Sequence, residues 1–121
     1  MAKGEHDWSF SWEAPVHEVF PALHDAQAAW LSQIDSLSAP DRRTHELVRL
    51  VCQVAARSPV GIERHARLAA EIGVPWEDII GSIMLTTPTF GMLAVAEALP
   101  AARRGYEVGV AARSADDERG D

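Results

Sequence analysis

The sequence predicts an all-α protein, and three observations lead there. Apolar residues recur at the three- and four-residue spacing of helices in successive segments of the chain. Proline and glycine fall between those segments, where they start and stop helices. Beyond one short aromatic stretch, no segment alternates apolar and polar residues as a strand does, and the sequence carries no internal repeat or glycine-rich phosphate loop.

Taken in order, Trp8-Ser-Phe10-Ser-Trp12 has the period of an extended segment. Residues 1–14 are read as an aromatic arm that packs on its own subunit or a neighbour, with a ligand-covering lid as the other reading. Pro15 and Pro21 punctuate the start of a first helix, in which Leu23, Trp30, Ile34 and Leu37 recur near helical spacing. Ser38-Ala-Pro-Asp41 supplies an N-cap serine, a first-turn proline and an acid placed as in a capping box. A second helix is therefore expected over about residues 39–57, burying Leu47, Leu50, Val51, Val54 and Ala55 and leaving Arg42, Arg43 and Arg49 wet.

Ser58-Pro59 breaks that helix, because a residue before proline avoids helical backbone. The third helix begins near residue 60, buries Ile62, Ala66, Ala69 and Ile72, and ends at Gly73. Val74-Pro75 leads into a fourth helix from Trp76 to about residue 86 that carries Ile79, Ile80, Ile83 and Met84. Pro88 and Gly91 interrupt the chain before a fifth helix over about 91–104, with a kink expected at Pro100. The small and charged residues at 111–121 predict a disordered acidic tail, so the helical domain is placed at 15–110.

Composition narrows the function classes. A chain of 121 residues makes one domain with a modest core, and association with further copies would help it bury surface. Its net charge of −7 argues against nucleic acid or an anionic membrane surface as a partner. The first seven residues have no apolar segment like that of a signal peptide, and no run approaches the roughly 20 apolar residues of a membrane span. A cytoplasmic protein is expected. Lys3 is the only lysine and lies near the end of the chain, which disfavours Schiff-base chemistry. Cys52 is the only cysteine; an intrachain disulfide is excluded, and the side chain is read as a small buried hydrophobe. His6, His17 and His24 show no ligand spacing among themselves and are read as surface or subunit contacts. His45 points about 100° away from Glu46 around its helix, so the two do not combine with His65 into a compact metal set. Neither a cofactor nor a metal is expected.

Glu46, Ser58, Gly61 and His65 form the pattern E-x11-S-x-x-G-x3-H. With Glu46-Leu-Val-Arg-Leu50, His65-Ala-Arg-Leu-Ala-Ala-Glu-Ile-Gly73, Trp76-Glu-Asp-Ile-Ile80 and Phe90-Gly91, it resembles the carboxymuconolactone decarboxylase family and its alkylhydroperoxidase D-like branch. The resemblance covers about residues 37–102. It implies an alkylhydroperoxidase D-like helical array assembled as trimers or hexamers, with pockets near subunit boundaries. In the alkylhydroperoxidase branch a Cys-x-x-Cys pair stands where this chain has Ser58 and Gly61. In the decarboxylase branch a Glu is common four residues before the His, where this chain has Gly61; Glu63 follows two residues later.

The spacing itself permits a Glu46–His65 contact. Glu46 lies about 18 Å along the second helix from Ser58 and His65 about 10 Å along the third, so a tight antiparallel hairpin leaves an axial offset of roughly 8 Å. A carboxylate beside an imidazole in a cleft is a working acid/base unit, and the same pair buried in a core fixes helix register. Ser58 is a helix cap or, less simply, a nucleophile served by His65. Thr86, Thr87 and Thr89 cluster at the break after the fourth helix, where hydroxyls either orient a ligand or cap the break. Trp76, Phe90 and Met92 line the same cleft or fill core.

The leading expectation is cofactor-independent acid/base chemistry on a small carbonyl- or carboxylate-bearing metabolite: decarboxylation, lactone opening or isomerisation. Glu46 and His65 are the catalytic pair, and Ser58, Gly61, Thr86, Thr89 and Phe90 bind substrate. The alternative is a non-catalytic oligomeric module that binds a ligand or protein and has lost the redox cysteines. A one-cysteine peroxidase or thiol sensor based on Cys52 is the third reading.

Overall fold

The structure is a computed structural model that describes residues 13–120; the aromatic arm at Trp8, Phe10 and Trp12 lies outside them. The described residues form helices joined by short turns, with no strand among them. They divide into two compact units, residues up to Ser38 and residues from Ala39 onward.

The first unit is a pair of helices, α1 (Glu13–Val19) and α2 (Pro21–Asp35). Helix α1 takes in residues 13 and 14, which the sequence places in the arm. Pro21 occupies the first turn of α2, where its missing N–H costs nothing. Neither helix buries an apolar side chain; His24 is the one buried residue of the two.

The second unit holds α3 (Arg42–Ala55), α4 (Pro59–Glu71), α5 (Trp76–Met84), α6 (Thr87–Phe90) and α7 (Met92–Gly120). Helix α3 starts later than the capping-box reading places it, because Asp41 and not Ser38 is the cap: its carboxylate accepts the Thr44 N–H at 2.8 Å. Pro40 therefore stands outside the helix. Ser58 caps α4, accepting the Gly61 N–H at 3.2 Å. At the other end of α4, Gly73 takes φ +91°, and the Val74 N–H reaches back to the Ala69 carbonyl at 3.0 Å in a Schellman closure. The chain between α5 and α7 forms the single turn α6, and Gly91 at φ +84° re-aims it into α7.

The core of this unit joins Leu50 and Val54 of α3, Ile62, Ala66 and Ala69 of α4, and Ile79 and Ile83 of α5 to Ala94, Val95, Ala98, Ala101 and Ala102 of α7. Ile72 and Ala55 are exposed, contrary to the stripes drawn from sequence, and Cys52 is exposed as well. The most extensive packing runs between α4 and α7. It is a seam of small residues. A Cβ on Gly105 would lie 2.0 Å from the Glu63 carbonyl oxygen, and one on Gly109 would lie 2.4 Å from that of Arg67. The two backbones are thus closer than any side chain on these positions allows.

That seam explains the main departure from the sequence reading. Helix α7 does not end near residue 104 and no disordered tail begins at 111; the helix runs through Pro100 and on to Gly120. Once the packed half is formed, extension adds one hydrogen bond per residue, and Ala111, Ala112, Arg113, Ala115, Glu118 and Arg119 are good helix formers. Ala112 and Ala115 are half-buried, and Arg119 pairs with Asp116 one turn back.

Gly105→Ala should destabilise the protein by about 1–3 kcal/mol in urea denaturation, since the new methyl meets backbone that cannot rotate away. Gly81→Ala, on a helix position with nothing within 4 Å, should instead be neutral or stabilise by up to about 1 kcal/mol.

Candidate functional site

Glu46 and His65 meet directly. Glu46 Oε1 stands 3.2 Å from His65 Nδ1, and the two residues are 2% and 5% exposed. The offset is shorter than the sequence estimate because the break itself takes up chain. Glu46 lies about 14 Å from the end of α3 at Ala55, and His65 about 9 Å from the start of α4 at Pro59, leaving roughly 5 Å for the glutamate to span. Arg57 makes the turn possible with φ +55° and is held by Glu97, whose Oε1 accepts from its Nε at 2.8 Å.

A third member was not anticipated. Arg42, read from sequence as a solvated arginine, places Nη2 3.1 Å from Glu46 Oε2 across one helical turn. Its position four residues before Glu46 was the available signal. Both carboxylate oxygens are therefore engaged, one by an imidazole and one by a guanidinium. Burial pushes the Glu46 carboxyl up, but the His65 hydrogen bond and the charges of His65, Arg42 and His45 outweigh it and hold the carboxyl below its ordinary value. Glu46 is thus a carboxylate at neutral pH. Among the described residues, no hydrogen bond is made to the second ring nitrogen of His65, Nε2.

The other expected site residues lie elsewhere. Ser58 is spent on its cap, and Gly61 lets the Gln53 side chain pass: a Cβ there would sit 2.0 Å from Gln53 Oε1. Thr86 donates its hydroxyl to the Ile83 carbonyl at 2.7 Å, the capping role. Thr86, Thr89 and Phe90 also line a largely apolar open cavity of about 390 Å³, whose far wall is Leu47, Val48 and Val51 of α3. Glu46, His65, Ser58 and Gly61 are not in its walls. At 100° per residue, Leu47, Val48 and Val51 centre roughly 150° around α3 from Glu46, so one helix separates the pair from the cavity. Trp76 is not in the cavity walls either; it packs on the core and against Tyr106, ring centroids 5.1 Å apart, with the Arg103 guanidinium over its face.

No protein-family profile, no curated protein and no solved structure matches the chain.

Two outcomes follow from this geometry. Ser58→Ala should cost about 1 kcal/mol of stability as the loss of a cap, with the Glu46–His65 contact intact by NMR. Because the Glu46 carboxyl is depressed, the stability it contributes is present above the ordinary glutamate value and is lost as pH falls through the lower folded value. Urea midpoints measured against pH should therefore fall less steeply on the acid side in Glu46→Gln than in the wild type.

Proposed function

We propose that the chain is a cofactor-independent acid/base enzyme acting on a small carbonyl- or carboxylate-bearing metabolite, with His65 as the proton carrier and Glu46 as the group that orients it. The observation that carries this reading is the buried 3.2 Å contact between Glu46 and His65 Nδ1. A carboxylate holding the Nδ1 proton fixes the tautomer in which Nε2 keeps its lone pair. Nε2 then takes a proton from a carbon next to a carbonyl, leaving the electron pair as an enolate, and the imidazolium beside the Glu46 carboxylate returns the proton to the product. Arg42 keeps Glu46 ionised through the cycle. The sequence pattern resembles the carboxymuconolactone decarboxylase family in its scaffold, whose alkylhydroperoxidase branch feeds a thiol pair through a proton relay; Ser58 and Gly61 stand here in place of the two thiols.

The second reading, a non-catalytic oligomeric binding module, draws on a different observation. The cavity with Thr86, Thr89 and Phe90 in its wall excludes the pair. Leu85, Phe90, Met92 and Leu93 are each more than half exposed, as self-association would favour. A trimer or hexamer in the cytoplasm belongs to both readings. No helix among the described residues is long and apolar enough to cross a membrane.

A screen of small β-keto acids, lactones and enolisable carbonyl compounds, followed by NMR of the products, separates the two. For a substrate so found, His65→Ala and Glu46→Gln should each lower turnover about 100-fold or more while circular dichroism shows the fold retained. Turnover that survives both substitutions would remove the acid/base assignment, and the absence of turnover across the screen would favour the binding module.

A further inference from the structure

The other concentration of ionisable side chains lies in the α1–α2 unit. Phe20 joins the two helices: its N–H donates to the Val16 carbonyl at 2.7 Å, and its carbonyl accepts the His24 N–H at 3.0 Å. Phe20 itself leaves the helical region, with φ −130° and ψ 67°, so each of these bonds belongs to its own helix. His17 and His24 stand one on each side of that junction. Their rings meet edge to face, centroids 5.2 Å apart, although their spacing in sequence shows no ligand pattern. Asp25 Oδ1 lies 3.8 Å from His17 Nε2 and 3.8 Å from His24 Nδ1. One ligand atom from each of the three residues falls within 4.8 Å of the others.

On the opposite side of the His24 ring, Glu13 Oε1 lies 3.5 Å from Nε2. A histidine that binds a cation through one nitrogen characteristically gives its other N–H to a carboxylate, which fixes the ring and raises its basicity. His24 has that arrangement, and it is the residue that the α1–α2 pair buries. Two imidazoles and one carboxylate are a zinc-class donor set, with a fourth tetrahedral position left for water. Metal–ligand bonds of about 2.0–2.2 Å put tetrahedral ligand atoms about 3.3 Å apart, so the two 3.8 Å separations close by roughly half an ångström of side-chain rotation and the histidine pair, within 4.8 Å, by up to about 1.5 Å.

We propose that His17, His24 and Asp25 bind a zinc-class divalent cation, with Glu13 positioning His24. Bound there, the cation ties α1 to α2 in a unit whose helices bury no apolar side chain. The test uses the full chain stripped with a chelator and titrated with Zn²⁺ by calorimetry, and with Co²⁺ by its visible d–d absorption. Saturable binding of one ion per chain is expected at micromolar Zn²⁺. Asp25→Asn alters a side chain that is 72% exposed, so the fold should survive while affinity falls about tenfold or more; His17→Ala should do the same. Glu13→Gln should weaken binding about tenfold with the stoichiometry unchanged. His45→Ala, in the other unit, should leave it as in the wild type. The assignment is overturned if micromolar Zn²⁺ does not bind, if Asp25→Asn and His17→Ala bind like the wild type, or if His45→Ala loses binding equally.

Discussion

The close approach of α4 to α7 is the constraint on which the rest of the larger unit depends. Helices normally stand apart by the thickness of their side chains, yet here Gly105 and Gly109 bring the α7 backbone against the carbonyls of Glu63 and Arg67. Alanines at 66, 69, 70, 98, 101 and 102 continue the seam. With α4 pressed so tightly on one side, its other face is fixed relative to α3, and His65 is delivered to Glu46 with little freedom to move. Tight packing of small residues leaves few alternative arrangements, because a shift of either helix brings backbone into backbone. The rigidity of the pair is therefore a property of the seam as much as of the pair's own hydrogen bond.

Burial sets the electrostatics of the pair. A carboxylate taken out of water without partners becomes neutral, whereas Glu46 has an imidazole on one oxygen and a guanidinium on the other. Arg42 is half in solvent, so it supplies charge without itself being desolvated. That asymmetry matters: a single partner would leave one oxygen unsatisfied in a buried site, and two buried cations would carry a desolvation cost of their own.

Local signals in the sequence were legible because their physics is local. Ser58-Pro59, Gly73 and Trp76 end and begin helices through caps and backbone preferences that a few residues decide. The Glu46–His65 contact was readable from spacing, since helix rise is constant. What depends on distant packing was not. Gly105 and Gly109 look like helix breakers until α4 is laid against them, and the charged residues beyond 110 look unfolded until the packed half of α7 is seen to nucleate them. Leu47, which packs against the core, and the half-buried Val51 also form a cavity wall, because the apolar stripe of α3 is wider than the surface α4 and α5 cover. His17 and His24 show no ligand spacing in sequence, and Pro21 marks a break between them; their ring contact depends on how α1 and α2 pack across that break.

The positions where the resemblance would place two thiols are instead occupied by residues with structural work. Ser58 holds the first turn of α4, and Gly61 leaves the space that Gln53 fills. A side chain at 61 would displace Gln53 from the α3–α4 interface, so position 61 is closed to a cysteine without repacking its neighbour. The hydroxyl at 58 is likewise engaged by the Gly61 N–H, and His65 is engaged by Glu46 rather than placed to activate that hydroxyl as a nucleophile. The turn that would carry a thiol pair instead holds α4 in place, so the proposed chemistry at the α3–α4 contact rests on Glu46 and His65 alone.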